Sequence, residues 1–400
     1  MEKKEKCGLL ALSVVPLVMT LGNSMLIPVL PKIESTLHIS AFQVSMIITI
    51  YSIAAILFIP VAGYLSDRWG RKKIIIPSLI IAGIGGAISG WASWKIAHPY
   101  IWILIGRTIQ GIGSAGALPV VMPCVGDMFK EDEQVSYGLG LIETSNTFGK
   151  VLSPILGSLL AVIVWFLPFW FIPILCLASI LLIQFLVKPP KQEKKALPVK
   201  EFVIIVKTTL KDNLKWLMAI FLLGAIIMLV LFGNLFYLST LFEEKYHIDG
   251  IWKGFILAIP LGALSLCSYL TGKRIGNRKR NMKRCTGIGF LLLSGSFIIP
   301  FFFHGIYLLV PSLFICGIGI GLALPSLDAL ITEGIEKEQR GTISSLYSSM
   351  RFVGVAAGPP LFAFLMKGDS KSMLYLSFGL GLIGVLLVLF CIKPEEEKVQ

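Results

Sequence analysis

Twelve stretches of this chain are each long enough and apolar enough to cross a hydrocarbon layer ~30 Å thick, and they leave little over from which to build a soluble core. They run roughly over residues 9 to 30, 41 to 64, 74 to 94, 100 to 127, 136 to 160, 163 to 187, 214 to 240, 251 to 272, 285 to 303, 305 to 332, 342 to 366 and 372 to 392. The composition agrees: 55% of the 400 residues are hydrophobic and 15% charged, where a soluble globule has an apolar share nearer ~45–50%. The expected fold class is an all-α, polytopic membrane protein.

A formal charge of +13 raises the question of a nucleic-acid partner, but the bases alternate by loop and do not gather on one surface. With the N-terminus inside, 27 of the 36 Lys and Arg fall in cytoplasmic segments. Six (Lys32, Lys95, Lys245, Lys253, Lys367 and Lys371) fall in outer loops, and Arg107, Lys150 and Arg351 lie within spans. This bias predicts that both termini are cytoplasmic. The seven cysteines have no metal-type spacing and read as small packing residues, Cys7 near the N-terminus apart. The first span is too long for a cleaved signal peptide. Neither a metal, a cofactor, a nucleic acid nor an obligate protein partner is expected.

Between the second and third spans lies GYLSDRWGRKK, residues 63 to 73, expected as a tight basic turn at a membrane surface. Gly63 and Gly70 permit close approach and reversal, while Asp67, Arg68 and Arg71 supply one acid and two bases. On its own such a turn is equally a topology signal. In the fourth span Arg107, Gln110 and Ser114 share a helix face. An arginine at mid-bilayer costs ~2.5–3.5 kcal/mol on insertion scales, so it needs an internal partner or a wet cavity. Its alternative role is a structural ion pair or hydrogen-bonded group. Thr20 and Asn23 lie one turn apart in the first span, which ends in the prolines Pro28 and Pro31. In the fifth span Glu143, Asn146, Thr147 and Lys150 form one polar stripe that must point into the bundle. Gly149, Ser153, Pro154, Gly157 and Ser158 follow, small residues that let backbones approach, with a proline bend.

The second half repeats the first. Gly111, Gly113 and Pro119 reappear as Gly317, Gly319 and Pro325 at an offset of 206, and Gly149 and Pro154 reappear as Gly354 and Pro359 at 205, with Gly358 beside them. The eleventh span carries Ser344, Tyr347, Ser348 and Arg351 with the spacing of the fifth-span stripe, and Asp328 follows Pro325 in the tenth span. The counterpart of the opening loop, residues 269 to 279, has lost its acid. Residues 1–187 and 214–400 are therefore expected as two six-helix bundles, joined by a cytoplasmic linker over 188–213.

Four motifs resemble the major facilitator superfamily, in particular its twelve-helix drug:proton antiporter branch. The loop matches GxLxDRxGRK at Gly63, Leu65, Asp67, Arg68, Gly70, Arg71 and Lys72. The fourth span matches RxxQGxG at Arg107, Gln110, Gly111 and Gly113. The fifth matches GxxxGPxxGG with serine at two positions, and Pro28 and Pro31 match the proline pair ending the first helix. The resemblance implies two pseudo-symmetric bundles, alternating access, an Arg71 to Asp127 pair, and a cytoplasmic gate of Gly63, Asp67, Arg68, Gly70, Arg71 and Asp127. In that gate Asp67 would sit near the start of the eleventh span. It also implies a bacterial plasma-membrane protein, with proton coupling through Arg107. Such motifs sit on gates and helix contacts and leave the substrate open.

The four histidines (His38, His98, His247 and His304) fall in outer loops, so the proton carriers expected within the spans are Glu143 first, then Asp328. A permanent Glu143–Lys150 pair is the structural alternative. Asn23, Gln110, Asn146, Lys150, Tyr347 and Arg351 are expected to line the substrate cavity. Aliphatic and aromatic walls with few charges suit amphipathic compounds better than sugars. The expectation is therefore proton-driven export of drug-like compounds, with the proton motive force in place of a cofactor and membrane lipid as surroundings. Its rivals are a dedicated exporter of a metabolite such as a siderophore, and an uptake symporter. A receptor without transport would want large soluble segments, and an enzyme would want motifs absent here, such as HExxH and GxSxG.

Overall fold

The computed structural model describes residues 3–129, 131–187, 213–276, 278–298, 305–335, 340–368 and 371–392, with residues 208, 211 and 300. Among them every regular element is helical. The first span is two helices, α1 (Lys3–Ser24) and α2 (Leu30–Leu37), joined through a 3₁₀ turn at Ile27–Val29. Pro28 and Pro31 sit at this break, where each missing N–H removes a ladder bond. The next five helices are α3 (Ala41–Trp69), α4 (Arg71–Lys95), α5 (Tyr100–Met128), α6 (Asp132–Ile163) and α7 (Leu167–Leu186). The second half contributes α8 (Leu214–Glu244), α9 (Gly250–Arg274), α10 (Lys279–Ser296), α11 (Ile306–Gly334), α12 (Arg340–Leu365) and α13 (Ser372–Cys391). Among the described residues eleven helices are long and apolar enough to span a bilayer. The ninth expected span is represented by α10, and its residues 299 and 301–303 lie outside the described set, as do most of the linker 188–213 and His304.

The expected loop over 63–73 is corrected. Helix α3 continues to Trp69 and α4 begins at Arg71, so the whole reversal is made at Gly70, with φ 101° and ψ 142°. That φ strongly favours glycine. Twenty-nine residues make a helix of about 43 Å, longer than the ~30 Å hydrocarbon layer, so the charged end of α3 stays helical in the wet interface. Gly63, read as a turn residue, is inside the helix.

The chain divides into two compact units. The first holds residues 1–196, 233–258 and 355–364, and the second 197–232, 259–354 and 365–400. The first unit thus takes in the end of α8, the start of α9 and the end of α12. Its interior is aliphatic, with Leu12, Val15, Met25, Ile75, Val121 and Ile172 sealed from solvent. Many large apolar side chains are nonetheless exposed: Phe185 is 79%, Trp252 76% and Phe390 73% accessible. An apolar surface of this kind is matched to lipid.

Inside each unit small residues set the closest crossings. A methyl on Gly113 would strike Ala82 and the Ser78 carbonyl of α4, and one on Gly111 the Tyr51 carbonyl of α3. In the second unit the repeat partner Gly319 meets Gly289 and Leu293 of α10, and Gly317 meets the Pro260 carbonyl of α9. Gly149 lies against Leu17 and Thr20 of α1, and Gly354 against Ala225 of α8. The 206- and 205-residue offsets of the sequence are therefore a repeat of packing geometry. Two further repeats appear only in three dimensions. His38 and His247, 209 apart, both adopt the left-handed conformation, with φ 52° and 51°. Lys72 donates to the Gln184 and Val187 carbonyls at the end of α7, and Lys283 to the Leu389 carbonyl near the end of α13.

Candidate functional site

Among the described residues Arg107 is the largest fully buried side chain, and the groups around it explain how a cation survives there. Its Nε donates to the Ile47 carbonyl at 2.9 Å, Nη1 to the Gly22 carbonyl at 3.1 Å and to Gln110 Oε1 at 2.6 Å, and Nη2 to Asn23 Oδ1 at 2.8 Å. The guanidinium also lies 4.3 Å from the centre of the Tyr51 ring, and the Tyr51 hydroxyl donates to Ser114. Four neutral oxygens and an aromatic face take the place of a carboxylate. Asn23 and Gln110, expected in the cavity wall, are buried and committed to this arginine. Arg107 thus ties α5 to α1 and α3.

The stripe on α6 makes a second, adjoining cluster. Thr20 of α1 donates to Asn146 Oδ1 at 2.6 Å, and Asn146 Nδ2 donates to the Glu143 carboxylate at 3.3 Å. Thr147 bonds back to the Glu143 carbonyl. Glu143 and Lys150 are both partly buried. Below the stripe, Gly157 faces the Met25 carbonyl at the break after α1, while the Pro154 carbonyl and Ser158 face Gly254 of α9. The glycine–proline segment therefore holds α6 against helices on two sides.

At the α3–α4 turn Arg71 is the hub. It pairs with Asp67 at 2.5 Å and with Asp127 at 2.9 Å, and its Nη1 donates to Ser66 Oγ at 2.6 Å. The Ser66 hydroxyl in turn donates to the Gly63 carbonyl. Arg68 points outward. Both acids are about half exposed, which makes each pair worth ~1 kcal/mol or less.

In the second unit Asp328 and Arg351 form an ion pair at 3.6 Å. The Arg351 guanidinium lies 5.7 Å from the Tyr347 ring, which stacks on Phe221 at 6.3 Å. Gly224 makes the room, since a methyl there would strike both Tyr347 and Arg351. Gly358 and Pro359 are buried within α12.

With this geometry in view, the comparison with known families is direct. A family model described as the Major Facilitator Superfamily matches residues 12–359 and 281–400. The chain belongs to the major facilitator superfamily. As a member it is a transporter of small molecules and not an enzyme, and a multi-span protein of the plasma membrane. Along its sequence it is 57% identical over 395 residues to the bacillibactin exporter of Bacillus subtilis (strain 168), covering 98% of each chain. It is 26% identical over 373 residues to the class D tetracycline resistance protein of Salmonella ordonez, covering 90% of this chain and 91% of that one. The fold matches that of the human organic anion transporter MFSD10 (TETRAN) with a TM-score of 0.76 at 18% identity, over 97% of this chain and all of the other.

Several members of these clusters carry no signal that patterning alone reveals. Ser66, Tyr51, Phe221 and Gly224 are ordinary residues in apolar helices, and only packing makes them partners of Arg71, Arg107, Tyr347 and Arg351. Ser66 was findable in one respect: it lies one turn from Gly63 and next to Asp67, on the face a bonded Arg71 has to reach.

Proposed function

We propose that this superfamily member exports a siderophore of the bacillibactin type by proton-driven alternating access. The observation that carries the reading is the 57% identity maintained over 98% of both this chain and the bacillibactin exporter. Tetracycline resistance proteins share only about a quarter of their residues with it. Export of drugs is the second reading, favoured by those relatives and by the glycine–proline segment around Pro154. The order is the reverse of what cavity composition suggested, because aromatic and aliphatic walls suit an aryl-bearing siderophore as well as a drug.

In this reading residues 1–187 and 214–400 are the two bundles that rock, both termini are cytoplasmic, and the Asp67–Arg71–Asp127 group is the inner gate. Its pairs are weak enough to break in each cycle. Glu143 is the proton carrier: it is the acid of the α6 stripe, its carboxylate accepts from Asn146, which in turn accepts from Thr20, and it lies on the same stripe as Lys150. Asp328, paired with Arg351, is the corresponding acid of the other half. Arg107, four of whose five N–H donors meet neutral oxygens, serves proton coupling by holding α1, α3 and α5 in register.

The test is complementation of a strain that makes bacillibactin and lacks its exporter. Wild-type chain should restore siderophore to the medium, measured by chromatography of culture supernatants, and a protonophore and Glu143→Gln should each abolish that release. If a folded, membrane-inserted chain restores no release while lowering accumulation of tetracycline, the drug reading takes its place. Release that survives both the protonophore and Glu143→Gln removes the proton and its carrier from the mechanism.

A further inference from the structure

The turn between α8 and α9 holds a charge pair that the transport scheme above does not use. The Tyr246 N–H donates to the Leu241 carbonyl and the Ile248 N–H to the Phe242 carbonyl, His247 turns left-handed, and Gly250 opens α9 with φ 57°. Across this turn Lys253 Nζ donates to Glu243 Oε2 at 2.5 Å, with the lysine side chain only 4% exposed and the glutamate 24%. The other charges acting on the ammonium are Asp249 and Lys32.

Nothing in helix physics favours these two residues here. Burying an ion pair returns little net stability, because both charges give up hydration. Glu243 is in the last turn of α8, the negative end of its dipole, and Lys253 is in the first turn of α9, the positive end. Each charge therefore works against its own helix. The first half shows that the turn does not need the lysine. Around His38 the Ile39 N–H donates to the Glu34 carbonyl, and at the offset of 209 Glu34 stands for Glu243, but fully buried Val44 stands for Lys253. An apolar side chain suffices for the fold.

What distinguishes the α8–α9 turn is its neighbour. Gly254 packs so tightly on α6 that a methyl would meet the Pro154 carbonyl and Ser158 Oγ, and Gly250 faces Val162. The Ser158 hydroxyl is buried without a hydrogen-bond partner. We propose that the Glu243–Lys253 pair is a positioning element of the transport cycle. Buried, it seats the first turn of α9 on α6; when that seat opens, both charges regain water, so opening is cheaper than for an apolar pair, which would lose burial. The device makes the contact specific and still reversible. On the orientation given by the loop charges, this seat lies on the outer side.

The test uses Ser158→Cys as a reporter in a background whose native cysteines are replaced by serine, labelled in intact cells with a membrane-impermeant maleimide. This readout needs no substrate, so its outcome is separate from the choice between siderophore and drug. Glu243→Leu with Lys253→Met should leave the protein folded and slow labelling about fivefold or more, because a desolvated apolar pair favours the closed seat. The charge swap Glu243→Lys with Lys253→Glu should label within about twofold of the parent, since it keeps the pair. Unchanged labelling in the folded apolar variant overturns the proposal. So does a folded charge swap that labels unlike the parent, and so does failure of both double variants to fold, which would make the pair a requirement of structure.

Discussion

Replacing Arg107 by lysine keeps the charge and removes the geometry, so it separates a cation that is needed as a charge from one that is needed as a tie. The guanidinium makes four hydrogen bonds, to Ile47, Gly22, Gln110 and Asn23, from three nitrogens on one rigid plane. A lysine ammonium has three donors, so at least one acceptor is left behind; a bond to a charged donor is worth ~1.5–3 kcal/mol. Loss of the stacked contact with Tyr51, 4.3 Å from ring centre to guanidinium carbon, adds ~1 kcal/mol at a desolvated site. Gln110 and Asn23 are side chains and recover part of this by reorienting, whereas the Ile47 and Gly22 carbonyls are fixed in helices. The expected cost is about 3 kcal/mol of stability. It is read by thermal unfolding in detergent with a thiol-reactive dye, for which buried Cys124, Cys176 and Cys316 are the reporters. Arg107→Lys should lower the midpoint by several degrees and Arg107→Gln, which fills less of the site, by more. An Arg107→Lys protein that unfolds with the parent would refute the account, and the site would then be one where only charge matters.

The repeat makes paired predictions. Gly111→Ala and Gly317→Ala each push a methyl onto a backbone carbonyl, of Tyr51 and Pro260 respectively, and should cost ~1–3 kcal/mol apiece by the same unfolding assay. Gly126→Ala and Gly262→Ala, which meet nothing within 4 Å, should be neutral or stabilising by up to ~1 kcal/mol. Lys72→Met removes donors from two carbonyls at the end of α7 and Lys283→Met from one near the end of α13, so the first should cost ~1 kcal/mol and the second about half as much. In a double-mutant cycle, Asp67→Asn and Asp127→Asn should each weaken the α3–α4 turn by ~1 kcal/mol or less and be non-additive, because both acids share Arg71.

Legibility tracked the kind of force involved. Spans could be read because lipid imposes a length and an apolar content that no soluble helix needs, and the glycines of the repeat because only glycine fits where a backbone carbonyl sits against the helix. The Arg71–Asp127 contact followed from resemblance, and residue types alone did not give it. The end of α3 was not legible because a charged run does not itself end a helix: Asp67 and Arg68 stay helical where α3 reaches the interface, and Gly70 by itself makes the turn. Asn23 and Gln110 illustrate the other limit. Polarity placed them inside the bundle, but whether a polar side chain faces an open cavity or closes the shell of a neighbouring arginine depends on distances that patterning does not contain.

The two halves share their helix crossings and differ in their charges, and the differences are complementary. The first half keeps an acid–base group at the end of α3, where the second has lost the acid. The second half keeps Glu243 and Lys253 where the first has Glu34 and a buried valine. An even number of helices separates neither position from its repeat partner by a side of the membrane: each half runs the same way through the bilayer. Since α3 ends on the side where α8 begins, the two surviving charge groups belong to opposite faces. The internal repeat gives two copies of each turn, and one copy of each carries an ion pair. A transporter that opens one face at a time needs one breakable contact on each, and a second copy on the same face would have to break at the same moment. In the proposed scheme of alternating access the two groups, one at the Gly70 turn and one at the Gly250 turn, would give one breakable contact at each face.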